Sequence, residues 1–472
     1  MQVADGPGPE RISQLFLKLQ ASKPELQAKA AQQLADLASA KGLPPSAAQA
    51  AISTLAALLA NSASCPTGGG QAARALCHLA KIAALRQPIT QAAMPSLVSA
   101  LSHSASPDSR VHADCRAQAA LVVWHLAADP QLQKGVLEAA LPALLALLQA
   151  GPQQPGRTEA AIALSRLAGS GSLELRSHIA QAALPTLATL LGDAHRPVAR
   201  EAAAVLQNLT CEAALRKAVA DAALPGLAKL LQDSHNDRGR CNAAGAMANM
   251  AHEPGLRRAI AAHLPAFVGL LQDLPTAYCH AACAINRLAA EVIFRAPIAA
   301  TALVGLVNLL RVSKGMHDRE AATQALLRLA SSDGLSKDVA DAALSAVVGV
   351  LGSKDSDTCK RNAANTILAC ARVVSLQQRI ADEALPALVS LLQEGASNAV
   401  RGAAVDAIQC LAAAKCTRLQ GQILASAGEA LAVLAQDSKY DKGRKVAAAT
   451  LALLSQKGVK IRCKKLYMLL SR

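Results

Sequence analysis

Cys279, His280 and Cys283 are the densest group of possible metal ligands in the chain, two thiols one helical turn apart with an imidazole between them. A tetrahedral zinc site takes four ligands, and the neighbouring segment supplies no matching pair. These thiols therefore read as small helical residues, and His112 with Cys115 reads the same way. Gly151 to Thr158, GPQQPGRT, imitates the phosphate-binding pattern GxxxxGK(S/T). Arg157 stands where the lysine should be, two prolines remove backbone N–H donors, and a leucine-rich segment rather than a buried strand precedes it. A plain loop between helices is the expectation. No nucleophile has a neighbouring base, no carboxylates are paired in a recurrent context, and no HExxH pattern occurs. Neither catalysis nor a cofactor or metal is predicted.

The elements that carry these residues come from a repeat. The stretch from Leu215 to Pro254 opens with Leu215 and Val219, an i, i+4 pair expected on a short helix. A second helix begins around Pro225 and carries Leu224, Leu227, Leu230 and Leu231. A polar loop follows, and then a third, alanine-rich helix from Arg240 to about Ala251. The opening pair recurs at Leu85/Ile89, Leu132/Val136, Leu175/Ile179, Leu256/Ile260, Leu335/Val339, Leu376/Ile380 and Leu419/Ile423, with Phe294/Ile298 filling the gap. The proline recurs at Pro95, Pro142, Pro185, Pro225, Pro265 and Pro386. One unit cannot bury its own apolar face, whereas stacked copies share a continuous core.

With its LPxLxxLL-type second helix and AVLQNL-type third helix (Val205 to Leu209), the unit resembles the armadillo repeat over nearly the whole chain. The resemblance implies an all-α fold, an α-solenoid or superhelix of about ten armadillo-like three-helix repeats. Alanine (Ala183, Ala223, Ala343) stands where armadillo repeats place glycine before the second helix, which leaves HEAT-type helical pairs as the alternative. The expected organisation is a flexible N-terminus over 1–10, a solenoid over 11–458 with an N-terminal cap at 11–41 and repeats from 47, and a basic tail or capping helix over 459–472.

Composition fits a long, thin core. Hydrophobic residues make up 52% of the 472 and aromatics only 1%, so alanine and leucine must do the packing. The longest apolar runs read as too short to span a bilayer, and the first residues resemble no secretory signal, so a cytoplasmic protein is expected, with the nucleus and the cytoskeleton open as sites. Twelve cysteines scattered over helical positions read as reduced thiols. The insertion from Ser102 to Cys115 is a candidate contact loop.

Function is then sought on the surface. In armadillo proteins the third helix lines the concave groove, and nuclear import receptors carry an asparagine near its end and a tryptophan one turn earlier. The asparagine position here holds His78, His125, Arg166, Asn208, Asn249, Arg287, Arg328, Ala369, Cys410 and Leu453 in succession. The tryptophan position holds Leu121, Ile162, Ala204, Gly245, Cys283 and Gln324, and the single tryptophan, Trp124, is out of register with it. Three arginines in the groove would repel a basic import signal. They suit an extended acidic partner instead, with asparagine amides clamping its backbone. A second series, Arg157, Arg200, Arg240, Arg319, Arg361, Arg401 and Arg444, opens the third helices and reads as a solvated rim, opposed to the helix dipole. The formal charge of +15 is concentrated late: residues 415–472 hold 12 Lys or Arg against 3 Asp or Glu. Lys457, Lys460, Arg462, Lys464 and Lys465 form a basic tail fit for an anionic membrane, an acidic protein surface or nucleic acid, the last weakened by the scarcity of stacking aromatics. The expectation is a monomeric, noncatalytic adaptor that binds protein partners, with nucleic-acid, membrane-surface or cytoskeletal association through the tail as the alternative.

Overall fold

The structure is a computed structural model, and it describes residues 9–21, 23–39, 44–62, 66–102, 110–151, 154–393 and 396–456. Residues 103–109 of the insertion and the basic tail from Lys457 onward, with Lys460, Arg462, Lys464 and Lys465, lie outside the described residues. All regular structure among the described residues is helical. The chain forms two compact units, one ending at Met250 and one beginning at Ala251.

Each unit is an α-solenoid in which a leading helix alternates with a trailing helix. In the first unit the leading helices include Ala83–Ser102, Gln133–Gln149, Leu173–Leu190 and Ala213–Leu231. Between and after them come the trailing helices Arg110–Leu126, Arg157–Ser170, Arg196–Thr210 and Asp237–Met250. Trailing helices pack on trailing helices and leading on leading, so each unit has two rows. Pro9–Leu19 and Pro24–Ser39 begin the first unit, where the N-terminal cap is expected. The second unit repeats the plan, with Val292–Val312 and Ser336–Leu351 leading and Tyr278–Leu288, Met316–Ala330 and Asp357–Ala371 trailing. Alanines such as Ala160, Ala202, Ala203, Ala243 and Ala244 are wholly buried where trailing helices meet, which lets the backbones approach closely.

The expected first and second helices run together as one leading helix in most repeats, with the proline inside it. A proline at position i leaves the carbonyl of i−4 without its hydrogen bond. Here Pro142, Pro185, Pro225 and Pro386 all sit on the exposed side, and so do Glu138, Gln181, Asp221 and Asp382 four residues earlier, so the lost bonds fall on the solvent-facing side of the helix. Two residues before each proline lies a buried alanine: Ala140, Ala183, Ala223 and Ala384. At the same register Pro265 is preceded by His263, a larger side chain that is only half-buried. There alone in the series the leading element splits, into Pro254–Ala261 and Leu264–Asp273, with His263 at the bend (φ −104°). Fusion also makes Val292–Val312 long and apolar enough to cross a membrane, which the search for apolar runs in the sequence missed; it packs between its neighbours as a leading helix of the solenoid.

Side chains close the helix ends. In every repeat but one, the residue after the opening leucine or phenylalanine donates six residues back to a carbonyl at the end of the preceding trailing helix; the exception, Arg176, reaches eight back to Ala168 at 2.8 Å. The pairs are Arg86 to Ala80 (3.1 Å), Gln133 to Ala127 (3.0 Å), Arg216 to Thr210 (3.1 Å), Arg257 to Ala251 (3.0 Å), Arg295 to Ala289 (2.8 Å), Ser336 to Ala330 (2.8 Å), Gln377 to Ala371 (3.0 Å) and Gln420 to Ala414 (2.6 Å). These carbonyls have no partner within their own helix.

The arginines that open the trailing helices are not a solvated rim. Arg157, Arg240 and Arg401 are buried, at 5%, 8% and 9% exposure. Arg157, Arg240 and Arg319 reach back to the last carbonyls of the leading helix, Leu148, Leu231 and Leu310. Arg157, Arg319 and Arg401 also pair with Asp193 (2.6 Å), Asp355 (2.6 Å) and Asp437 (2.8 Å), each 36 residues on, in the next repeat. The carboxylate and the carbonyl together outweigh the unfavourable dipole at the arginine's own helix. Arg200 is one residue out of this register and pairs with Glu201, while Arg361 is exposed.

Candidate functional site

The trailing helices of the first unit hold a continuous strip built from the positions singled out in the sequence. His78 lies near the end of Pro66–Ala80, with Lys81 Nζ 3.1 Å from its Nδ1. His125 ends the next trailing helix, and beside it Trp124 presents its ring edge-on, the centroids 4.5 Å apart and the planes at 69°. Arg166, from the following trailing helix, lays its guanidinium over the Trp124 ring at 5.0 Å. Asn208 then donates to the Ser165 carbonyl at 3.1 Å, and Asn249 to the Gln207 carbonyl at 3.4 Å. Each amide thus spends an N–H tying one repeat to the last. Gly169 leaves Asn208 its place, since a Cβ there would stand 3.1 Å from the Asn208 amide nitrogen.

The strip is electropositive where the histidines sit. Burial first, then the charges of Lys81, Arg86 and Arg166 and the neighbouring His78, push the His125 imidazole down to about 4. His78 is also lowered, by burial, Lys81 and Arg74, with Asp36 opposing. Arg74 is neutralised by Asp114 at 3.0 Å. Arg166 is exposed and forms no ion pair among the described residues. The region is poised to accept negative charge.

The second unit carries Arg287 and Arg328 on the adjacent trailing helices Tyr278–Leu288 and Met316–Ala330. Arg328 has its Nε buried without a hydrogen-bond partner. Its pKa is lowered by burial and then by Arg295 and Arg257. Arg295 bonds Ser332 Oγ at 2.9 Å, one turn beyond Arg328, and Arg257 pairs with Glu291. Ala369 and Cys410, at the later ladder positions, are apolar and bring no charge to their helix ends.

Reading the sequence along the ladder alone missed Lys81, Arg86, Arg257 and Arg295, which supply much of the local charge. The signal for three of them was present in the arginine that follows the opening apolar residue, as in Leu85-Arg86, Leu256-Arg257 and Phe294-Arg295. The GPQQPGRT segment joins Gln133–Gln149 to Arg157–Ser170, and its arginine is committed to Leu148 and Asp193. Gly156 adopts φ +87°, and a Cβ there would come within 3.2 Å of the Ala117 backbone nitrogen. Among the described residues no group of three or more His, Cys, Asp or Glu converges in a way that could hold a metal ion.

No protein-family model matches the chain, and no curated protein does. The structure is similar to the crystal structure of an engineered protein from the Northeast Structural Genomics Consortium, with a TM-score of 0.59 and 25% identity over 94% of this chain and 98% of that one. That likeness, together with the two-row stacking of helices, places the chain among helical-repeat solenoids.

Proposed function

We propose that this protein is a noncatalytic scaffold that holds an extended acidic segment of a partner protein along the trailing-helix row. The observation that carries this reading is the strip His78, Lys81, Trp124, His125, Arg166, Asn208, Asn249, where Arg166 stacks on Trp124 of the preceding repeat and, among the described residues, that exposed cation meets no carboxylate. Lys81 and Arg166 attract carboxylates, Trp124 supplies a flat surface, and the asparagine amides retain polar atoms for a peptide backbone. Arg287 and Arg328 offer the same chemistry in the second unit. The reading in which the basic tail binds nucleic acid or an anionic surface rests on Lys457 to Arg472, outside the described residues.

Trp124 is the only tryptophan of the chain, so its fluorescence reports on the strip directly. Titration with a glutamate-rich peptide should change that fluorescence, and Arg166→Ala should weaken binding about tenfold or more, the loss of a charge-assisted hydrogen bond of about 1.5 to 3 kcal/mol. A single-stranded oligonucleotide that binds where the acidic peptide does not would replace this reading with the nucleic-acid one. An unchanged affinity for Arg166→Ala would remove the strip from the site.

A further inference from the structure

On the trailing helix Tyr278–Leu288, Cys279, Cys283 and Arg287 are spaced four residues apart and so share one face. The two thiols are half-buried, neither is in a disulfide, and they hydrogen-bond to each other. We propose that Cys283 is a covalent modification site that takes up glutathione from glutathione disulfide, with Cys279 as the positioning donor and Arg287 as the cation that meets the adduct's carboxylates.

The surroundings favour a thiolate. The hydrogen bond from Cys279 is the largest influence and, against the effect of burial, brings Cys283 down to about 7. Arg287 on the same helix and His317 on the next trailing helix act in the same direction, while Asp318 opposes them. Cys279 is correspondingly pushed up, so the pair gives up one proton readily and keeps the other. His280, between them, is lowered by burial and Arg287 and so adds no positive charge near neutrality.

In the reaction the Cys283 thiolate attacks one sulfur of glutathione disulfide. A new S–S bond forms, the old one breaks, and a glutathione thiolate leaves and is protonated by solvent. The Cys283 sulfur is oxidised and the departing glutathione reduced. The adduct should persist. Residues one turn apart on a helix have Cβ atoms about 5 to 6 Å apart, beyond the roughly 3.5 to 4.5 Å that a disulfide needs, so Cys279 cannot expel the glutathione without unwinding the helix.

A thiol whose pKa lies below the ordinary value of about 8.5 is more ionised at pH 6 to 7, and its weaker nucleophilicity takes back only part of that gain, so Cys283 should react about threefold or more faster than an ordinary thiol in this range. The full-length protein incubated with glutathione disulfide, with peptide mapping by mass spectrometry across that pH range, tests this. The exposed Cys211 and Cys416 serve as references in the same sample. Expected are a glutathione adduct on Cys283 that forms faster than on either reference, a rate midpoint near pH 7, and an upward move of that midpoint in Cys279→Ala with partial return in Cys279→Ser. Reaction at Cys283 no faster than at the references at pH 6 would overturn the proposal. So would loss of two hydrogens, marking a Cys279–Cys283 disulfide, in place of the adduct. Both readouts come from the unmutated chain, so a variant that fails to fold does not blunt the test.

Discussion

The His125 imidazole makes the electropositive strip measurable as a pH dependence of folding and of binding. In the unfolded chain it titrates at its ordinary value of 6.5, and in the folded chain at about 4, because burial and Lys81, Arg86 and Arg166 disfavour its charge. The unfolded state therefore takes up the proton first. The contribution to stability is complete above about pH 6.5, falls as the pH drops toward 4, and levels off below that. Between pH 7.5 and 5 the full shift corresponds to about 2 kcal/mol, and solvent screening at a half-buried site reduces this to about 1 kcal/mol. Thermal melts of the wild type and of His125→Gln should diverge over this window, the wild type losing about 2 to 4 °C more. The bound state has the opposite sign. Carboxylates of a bound partner would offset the three cations but not the burial, raising the imidazole part of the way toward 6.5, so binding should take up a proton. Affinity for an acidic peptide should then rise by about twofold to threefold from pH 7.5 to 5.5, where glutamates remain ionised, and stay flat in His125→Gln. Parallel melting curves for the two proteins would refute the clustering of cations about His125. Parallel melting with pH-dependent binding would place the effect elsewhere in the site.

Asp193→Ala leaves Arg157, 5% exposed, without its counter-charge, and should cost about 3 to 5 kcal/mol in urea unfolding, whereas replacing both by apolar residues should cost much less. Equal losses for the single and double variants would show that the pair does not join adjacent repeats as described. Arg86→Gln should keep the helix-end hydrogen bond, because Gln133 makes the same bond at 3.0 Å one repeat later, while removing a charge from around His125. Its melting temperature should hold while acidic-peptide affinity falls and the His125 pH response shrinks; an unchanged pH response would contradict the part assigned to Arg86.

The repeat and the helical class were legible because leucine, alanine and proline recur at fixed register, and stacking is the way such a unit buries its apolar face. The joining of first and second helices was not, since it goes with burial of the residue two before the proline against neighbouring repeats. Ala223 is buried there and His263 is not. The ladder positions from His78 to Asn249 could be picked from sequence, but not the use of the amides of Asn208 and Asn249 as ties between repeats, nor the stacking of Arg166 on a tryptophan that seemed out of register. The arginines opening the trailing helices were misjudged for a related reason: their counter-charges lie 36 residues away. A helix considered alone shows only the opposing dipole.

These registers give the surface charge a structural origin. The position that closes each trailing helix holds Arg86, Gln133, Arg176, Arg216, Arg257 and Arg295 in the earlier repeats, then Ser336, Gln377 and Gln420. Serine and glutamine make the same bond, so capping alone does not require arginine. The ladder follows this only loosely: Ala369 and Cys410 stand beside neutral caps, but so do His125, beside Gln133, and Arg328, beside Ser336. Arg176 and Arg257 are matched by Glu212 and Glu291 of the next repeat, whereas Arg86 and Arg295 have no such match among the described residues and disfavour the charged forms of His125 and Arg328. Under the proposed function, a cap such as Arg86, charged where glutamine would close the helix equally well and paired with no carboxylate among the described residues, is accounted for by an acidic partner, whereas Arg176 and Arg257 are accounted for by Glu212 and Glu291 of their own chain.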